Sequence, residues 1–235
     1  MLIFKYRQCH SYWVRVRWLG HSAFELKSGD TVLVDPFLTN NPKAPLGPDA
    51  LEPDIICVTH GHSDHLGDSI QIAKRTHAPI IAIHEIALLA AQKGAPAEGM
   101  NIGGTIRVRD TDITMTPATH SSSIENDSGL LPAGDPGGFI ISSNSKTVYH
   151  AGDTGLFFDM RLIGERGIDV ALLPIGDRYT MGAIDAAKAT ELLRPKLAIP
   201  MHYNTFPGIE QDPQLFKEEA ACEVTILKPG EEVEI

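Results

Sequence analysis

Between Val58 and Asp68 the chain reads V-T-H-G-H-S-D-H-L-G-D, which puts His60, His62, Asp64 and His65 in one short span. Imidazole and carboxylate are the side chains that bind zinc, manganese, nickel or iron. Alternate residues of an extended segment share a face, so His60 and His62 project together. Asp64 and His65 project to another side as the chain turns toward a helix. One ion has difficulty accepting all four, whereas two adjacent ions divide them. Gly61 and Ser63 are small and permit close backbone approach. A polar capping turn is the alternative reading, and it leaves this density of ligand-type side chains unexplained.

Such a turn needs a rigid support. Ile55–Thr59 is a continuous apolar run bounded by polar residues, the pattern of a central strand buried on both faces. Before it, Val14–Leu19, Ala23–Lys27 and Thr31–Asp35 read as short strands, with S-G-D at 28–30 as a hairpin turn. A Pro-rich connection then runs to about Pro53. After it, Ser69–His77 reads as a helix, Pro79–Ile83 as a strand and Glu85–Lys93 as a helix closed by Gly94. Thr105–Arg109, Ile113–Pro117, Gly138–Ser142 and Thr147–His150 read as strands, with a polar loop at 119–136 among them. Next come a helix at Phe157–Glu165, a strand at Val170–Pro174 and a helix at Ala183–Leu193 stopped by Pro195. A strand at Leu197–Pro200, a helix at Pro213–Ala221 and a strand at Val224–Leu227 complete the order. There is no sequence repeat, yet this order suggests two similar halves. Two sheets packed face to face with helices outside would satisfy it.

Further ligand-type residues fall at other expected strand ends. They are Thr119-His120, H-A-G-D-T at 150–154 and P-M-H-Y-N at 200–204. With T-H-x-H-x-D-H, a later His, G-D-T after a strand and a final P-x-H, the chain resembles the metallo-β-lactamase superfamily from about Val14 onward. The resemblance implies an α/β fold, an αββα sandwich with a dinuclear site at one edge of the two sheets. It implies that His60, His62 and His120 hold one ion, that Asp64, His65 and His202 hold a second, and that Asp153 bridges them. Zinc is the leading ion, with manganese, iron or nickel as alternatives. No cysteine occupies a motif position, and His62 stands where the oxygen-reducing di-iron branch has Glu. Cysteine-ligated β-lactamases and redox chemistry are therefore both disfavoured. W-L-G-H-S-A-F at 18–24, L-P-I-G-D at 173–177, Y-T-M-G at 179–182 and P-M-H-Y-N-T-F-P at 200–207 resemble one branch of that superfamily. It is the branch of prokaryotic hydrolases related to ascorbate-6-phosphate lactonase-like proteins.

Two such ions, two carboxylates and a bridging hydroxide would leave about one positive charge in the pocket of an acidic protein. Bound to a metal, water drops in pKa from 15.7 to roughly 7, which supplies hydroxide at neutral pH. The expected activity is hydrolysis of a small ester, lactone or phosphodiester, with Asp64 also catalytic, orienting the nucleophile or shuttling a proton. One alternative is a phosphodiesterase or nuclease acting on RNA or nucleotides. A second is a non-catalytic metal-binding or scaffold protein. Substrate contacts are expected from His21, Asp177, Tyr203 and Asn204, with Tyr179 and the 121–136 loop near the rim. A buried structural role is the equal alternative for His21. Asp35 either orients a ligating His or closes the turn before Pro36. His150 is expected behind the ligands, and His10, His77 and His84 lie outside every motif.

The bulk properties agree with a small-molecule enzyme. A chain of 235 residues, 43% hydrophobic, suits one domain over 14–235 after a weakly ordered extension at 1–13. At a net charge of −10 it has no obvious basic face for phosphates, so nucleic acid is a disfavoured partner. No apolar run reaches the roughly 18 residues of a membrane span. Three cysteines without spacing logic suggest the cytoplasm, and a homo-oligomer is expected on general grounds.

Overall fold

Buried apolar residues recur in short extended runs through the computed structural model, which describes residues 14–126 and 129–235. The expected extension at 1–13 and His10 lie outside the described residues. Strands β1 (Arg15–Trp18), β2 (Phe24–Ser28) and β3 (Asp30–Val34) form an antiparallel meander. From β3 the pairing becomes parallel, through β4 (Ile55–Val58), β5 (Ile80–Ile83) and β6 (Ala97–Met100). Parallel neighbours need crossovers. The Pro-rich connection at 35–54 supplies the first, helices α1 (Ser63–Leu66) and α2 (Ser69–Thr76) the second, and α3 (His84–Gln92) the third. Every residue of β4 and β5 is buried, the consequence of cover on both faces.

The second sheet begins with β7 (Thr105–Val108) and β8 (Thr111–Pro117). A separate hairpin of β9 (Ser123–Asn126) and β10 (Gly129–Pro132) interrupts it before β11 (Gly137–Ser143) and β12 (Lys146–His150). Then α4 (Met160–Gly164), β13 (Val170–Pro174), α5 (Ala183–Leu193), β14 (Leu197–Met201), α6 (Pro213–Glu219) and β15 (Glu223–Val224) follow. The last strand, β16 (Glu232–Glu234), returns to pair with β1. Each sheet has seven strands, in the orders β16-β1-β2-β3-β4-β5-β6 and β15-β14-β13-β12-β11-β8-β7. In both, three antiparallel ladders give way to three parallel ones. Helices α2 and α3 pack on the first sheet, α5 on the second.

The sheets face each other across one continuous core. Phe24 of β2 meets the His150 ring of β12 edge-on at 5.8 Å, and His150 Nε2 donates to the Ser22 carbonyl at 2.9 Å. At the far end the Asp30 carboxylate accepts from Thr111 Oγ1 and the Asp110 amide. At the site end Gly137 N donates to Thr59 O at 3.0 Å, so the β4 turn abuts the second sheet.

Two expectations need correction. The 119–136 segment is not simply a polar loop, since it carries the β9–β10 hairpin. The last expected strand, Val224–Leu227, shrinks to two residues, Glu223–Val224, while β6 and β16 were not anticipated. All three are edge strands, where a half-solvated ladder carries no apolar alternation to read. Among the described residues no helix is long and apolar enough to cross a membrane.

Candidate metal centre

The β4 strand ends at Val58, and the next residues carry the ligand-type side chains. His62 stands at the N-terminal cap of α1, a single turn that contains Asp64 and His65. Asp35, just past β3, anchors this turn. Its carboxylate accepts from the Thr59 amide at 2.8 Å, the Thr59 hydroxyl at 2.6 Å and His65 Nδ1 at 2.8 Å. Since the Thr59 hydroxyl donates to Asp35, its oxygen accepts from His60 Nδ1 at 3.0 Å. One buried carboxylate thus orients two imidazoles, His65 directly and His60 through Thr59, and turns both Nε2 atoms inward. Of its two sequence readings, Asp35 takes the orienting one.

The second sheet sends one residue from each of three strand ends. His120 follows β8, Asp153 follows β12 and His202 follows β14. Asp153 is buried at the middle. His202 Nε2 lies 2.9 Å and His120 Nε2 3.6 Å from its Oδ2, and His65 Nε2 lies 3.3 Å from its Oδ1. Gly176 is needed where β14 delivers His202. A Cβ there would press on the His202 carbonyl and come within 3.0 Å of Nδ1.

Three groups result, each with ligand atoms within 4.8 Å of one another. They are His60, His62 and His120; His21, Asp64, His65 and His202; and His60, His65 and Asp153. All seven residues expected to hold two ions are brought together here. Buried polar atoms normally find partners. His65 Nε2, Asp153 Oδ1 and His202 Nδ1 are nevertheless buried without a hydrogen bond. His65 Nε2 and Asp153 Oδ1, left over in this way and facing the cluster, fit divalent cations of the zinc class, whereas His202 Nδ1 faces Gly176 and offers Nε2 to the cluster instead.

The electrostatics divide the histidines. Burial alone would lower His65, but Asp153 and Asp35 on either side hold its pKa well above the usual value. His60, His62 and His120 shift down, chiefly because burial disfavours the charged ring. Burial would raise both Asp64 and Asp153. Instead His21 and His65 hold Asp64, and His202 and His65 hold Asp153, well below the carboxylate range.

His21 belongs to this cluster and lines the cavity over it, while its ring takes the buried structural role that was the alternative reading. It is fully buried, and burial lowers its pKa to about 4, so the ring is neutral. Nε2 donates to Asp64 Oδ2 at 3.1 Å, and Nδ1 accepts from the Thr205 hydroxyl at 3.0 Å. With both nitrogens engaged, His21 steadies Asp64. Asp177, Tyr203 and Asn204, the other expected substrate contacts, lie outside the cavity lining. His202 and Asn204 have left-handed backbone (φ 55° and 56°), and the kinks turn Tyr203 onto Trp18 at 5.5 Å. Asn204 commits its side-chain amide to the main chain of Gln211. Asp177 lies in a separate depression beside Gly182 and Ala183. His150 sits behind the ligands, His77 and His84 on the surface.

A cavity of about 350 Å³ opens over the cluster, lined by His62, Asp64, His120, Asp153 and His202. Tyr179 and Ser121 line it too, as the sequence suggested for their segments, together with Phe206, Pro207 and Ile209. Thr59, Thr205 and the 206–209 wall were missed. Only the apolar Phe206, Pro207 and Ile209 of T-F-P-G-I, close after His202, hint at the wall.

Over residues 15–202 the chain matches the family model described as the Beta-lactamase superfamily domain. It is 54% identical over 229 residues to a metal-dependent hydrolase of Methanopyrus kandleri, covering 94% of this chain and 100% of the relative. To a metal-dependent hydrolase of Archaeoglobus fulgidus it is 52% identical over 228 residues, covering 94% and 99%. Among solved structures it is similar to a metallo hydrolase of Ignicoccus hospitalis, with 43% identity, a TM-score of 0.86 and coverage of 95% and 98%.

Proposed function

This chain belongs to the metallo-β-lactamase superfamily, and from that premise we propose that it is a metal-dependent hydrolase acting on a small ester, lactone or phosphodiester at a two-ion centre. The observation that carries the reading is the convergence of the seven expected ligand side chains in three overlapping groups, with His65 Nε2 and Asp153 Oδ1 buried among them without a hydrogen bond. His60, His62 and His120 would hold one ion, Asp64, His65 and His202 the other, with Asp153 between. When bound, such ions supply hydroxide from water near neutral pH and polarise a carbonyl or phosphoryl oxygen. Zinc suits the donors, and manganese, iron or nickel are alternatives.

The chain's own residues prepare that chemistry. Asp35 engages Nδ1 of His65 directly and of His60 through Thr59, so that each ring turns Nε2 toward the cluster, where His60 Nε2 meets His62 Nδ1 at 3.0 Å. His21 holds one oxygen of Asp64, so the carboxylate keeps a fixed orientation at the cavity floor. Water's oxygen joins the acyl or phosphoryl centre, the bond to the leaving oxygen breaks, and the proton passes to the departing alcohol. Asp64, at the cavity, is the residue placed to carry that proton. A small-molecule substrate, a cytoplasmic setting and a homo-oligomeric state complete the proposal.

Metal analysis of protein purified without chelator tests it. About two ions per chain are expected, as for other two-metal sites. His62→Ala should abolish hydrolysis of generic esters and phosphodiesters while leaving the circular dichroism spectrum unchanged. A folded, metal-free wild type that gains no activity with zinc, manganese or nickel would sink the proposal.

A further inference from the structure

We infer that the substrate carries an uncharged apolar or aromatic arm that lies along Tyr179, Phe206, Pro207 and Ile209 while its reacting group sits over the ligand cluster. This inference rests on the hydrolase reading above. Apart from the ligand-type residues and His21, the cavity lining is those four side chains and Ser121. Among the described residues no Lys or Arg lines it. Binding a phosphate monoester, or a carboxylate away from the reacting group, calls for a cationic partner, most often a guanidinium. The cation next to the wall is Arg178, whose guanidinium carbon lies 5.4 Å from the Tyr179 ring centroid, outside the lining.

The wall is built to keep its shape. Asn204 Nδ2 donates to Gln211 O at 3.0 Å, and Asn204 Oδ1 accepts from Gln211 N at 2.9 Å. The Asn204 amide also donates to Ile209 O at 2.8 Å, closing the loop on itself. Phe206 leans against His21 at 5.5 Å and Phe37 at 6.0 Å. Even so, Phe206 remains 36% and Tyr179 57% exposed. Apolar surface facing water beside a polar cluster is covered favourably by an apolar ligand group, the division of labour common in small-molecule sites. A cavity of about 350 Å³ suits one acyl or phosphoryl group plus such an arm.

The test compares p-nitrophenyl butyrate and benzoate with p-nitrophenyl hemisuccinate, which presents a carboxylate where the others are apolar. With zinc-loaded protein, kcat/KM for butyrate or benzoate should exceed that for hemisuccinate by at least about tenfold. Phe206→Ala should narrow that ratio several-fold, and Phe206→Arg should move it toward hemisuccinate. The same preference should be read without turnover by calorimetric titration of benzoate and succinate into zinc-loaded protein, with benzoate the tighter. Equal or tighter binding of succinate, or a ratio unmoved by both Phe206 variants, overturns the inference even if esters are cleaved. Selective binding of benzoate without cleavage of any ester would overturn the hydrolase reading and leave the apolar arm standing.

Discussion

The first sheet delivers His60, His62, Asp64 and His65 from one turn after β4, whereas the second delivers His120, Asp153 and His202 from the ends of β8, β12 and β14. Both sheets run through the same succession of ladders, so the difference lies in how each half spends its strand ends. In the first half the ligands themselves are neighbours in sequence, held by Thr59 and by Asp35 from the end of the adjacent strand β3. In the second, ligands meet only when the β8–β11–β12–β13–β14 ladders are in register. Damage should therefore stay local in the first half and spread in the second.

The largest effect is expected at Asp153. Asp153→Ala strips the carboxylate that faces His65, His120 and His202. Leaving a buried charge without its partner costs about 3–5 kcal/mol. Urea unfolding of the metal-free protein should register that loss, and both ions should be lost together. Retention of either ion would break the contrast between the halves.

Acid comes next. The His21 pKa in the fold is about 4 against 6.5 ordinarily, so the stability tied to its neutral form is complete above pH 6.5 and is lost as pH falls through 4. The size is on the order of 3 kcal/mol at 1.36 kcal/mol per unit. His60, His62 and His120 tilt the curve the same way. His65, raised, acts oppositely, its contribution present below pH 6.5 and lost as pH rises through its folded value. Melting of the metal-free protein between pH 7 and 4 should show a falling Tm, and His21→Gln should flatten it. An unchanged acid limb in that variant would remove His21 from the account.

Asp35→Asn should be the mildest. The amide still presents an acceptor to Thr59 or His65, but the charge is gone, and outer partners of this kind change metal affinity by about 10–100-fold. Chelator competition measures it. Weakened binding of the proposed ions with an unchanged urea midpoint would sharpen the view that Asp35 acts on the ligands alone.

The same contrast explains what could be read from the sequence. His60 to His65 announce themselves because their meaning is local and their spacing dense. His120, Asp153 and His202 are legible only as members of the family's pattern of strand ends, since nothing near any one of them marks it as a partner of the others. Central elements such as Val170–Pro174 and Ala183–Leu193 were read residue for residue, because burial there imposes periodicity. The β9–β10 hairpin was hidden because S-I-E-N and G-L-L-P have no alternation, and Leu130 is 72% exposed at its outer side. Tyr203 and Asn204 were misjudged for a different reason. Adjacency to His202 implied the cavity, but left-handed backbone on both sides of Tyr203 redirects its neighbours, and residue type gave no sign of that.

The pairing of Asn204 with Gln211 bears on how such a protein diversifies. Because one asparagine ties off the ends, the residues between are released from holding the loop together, and surface loops tolerate exchange. His202 stays where β14 and Gly176 put it whatever those residues are. A descendant, or a library built at the bench, can therefore exchange the exposed Phe206 and Pro207 and acquire a new diet, while buried Ile209 and left-handed Gly208 keep the loop over the inherited centre.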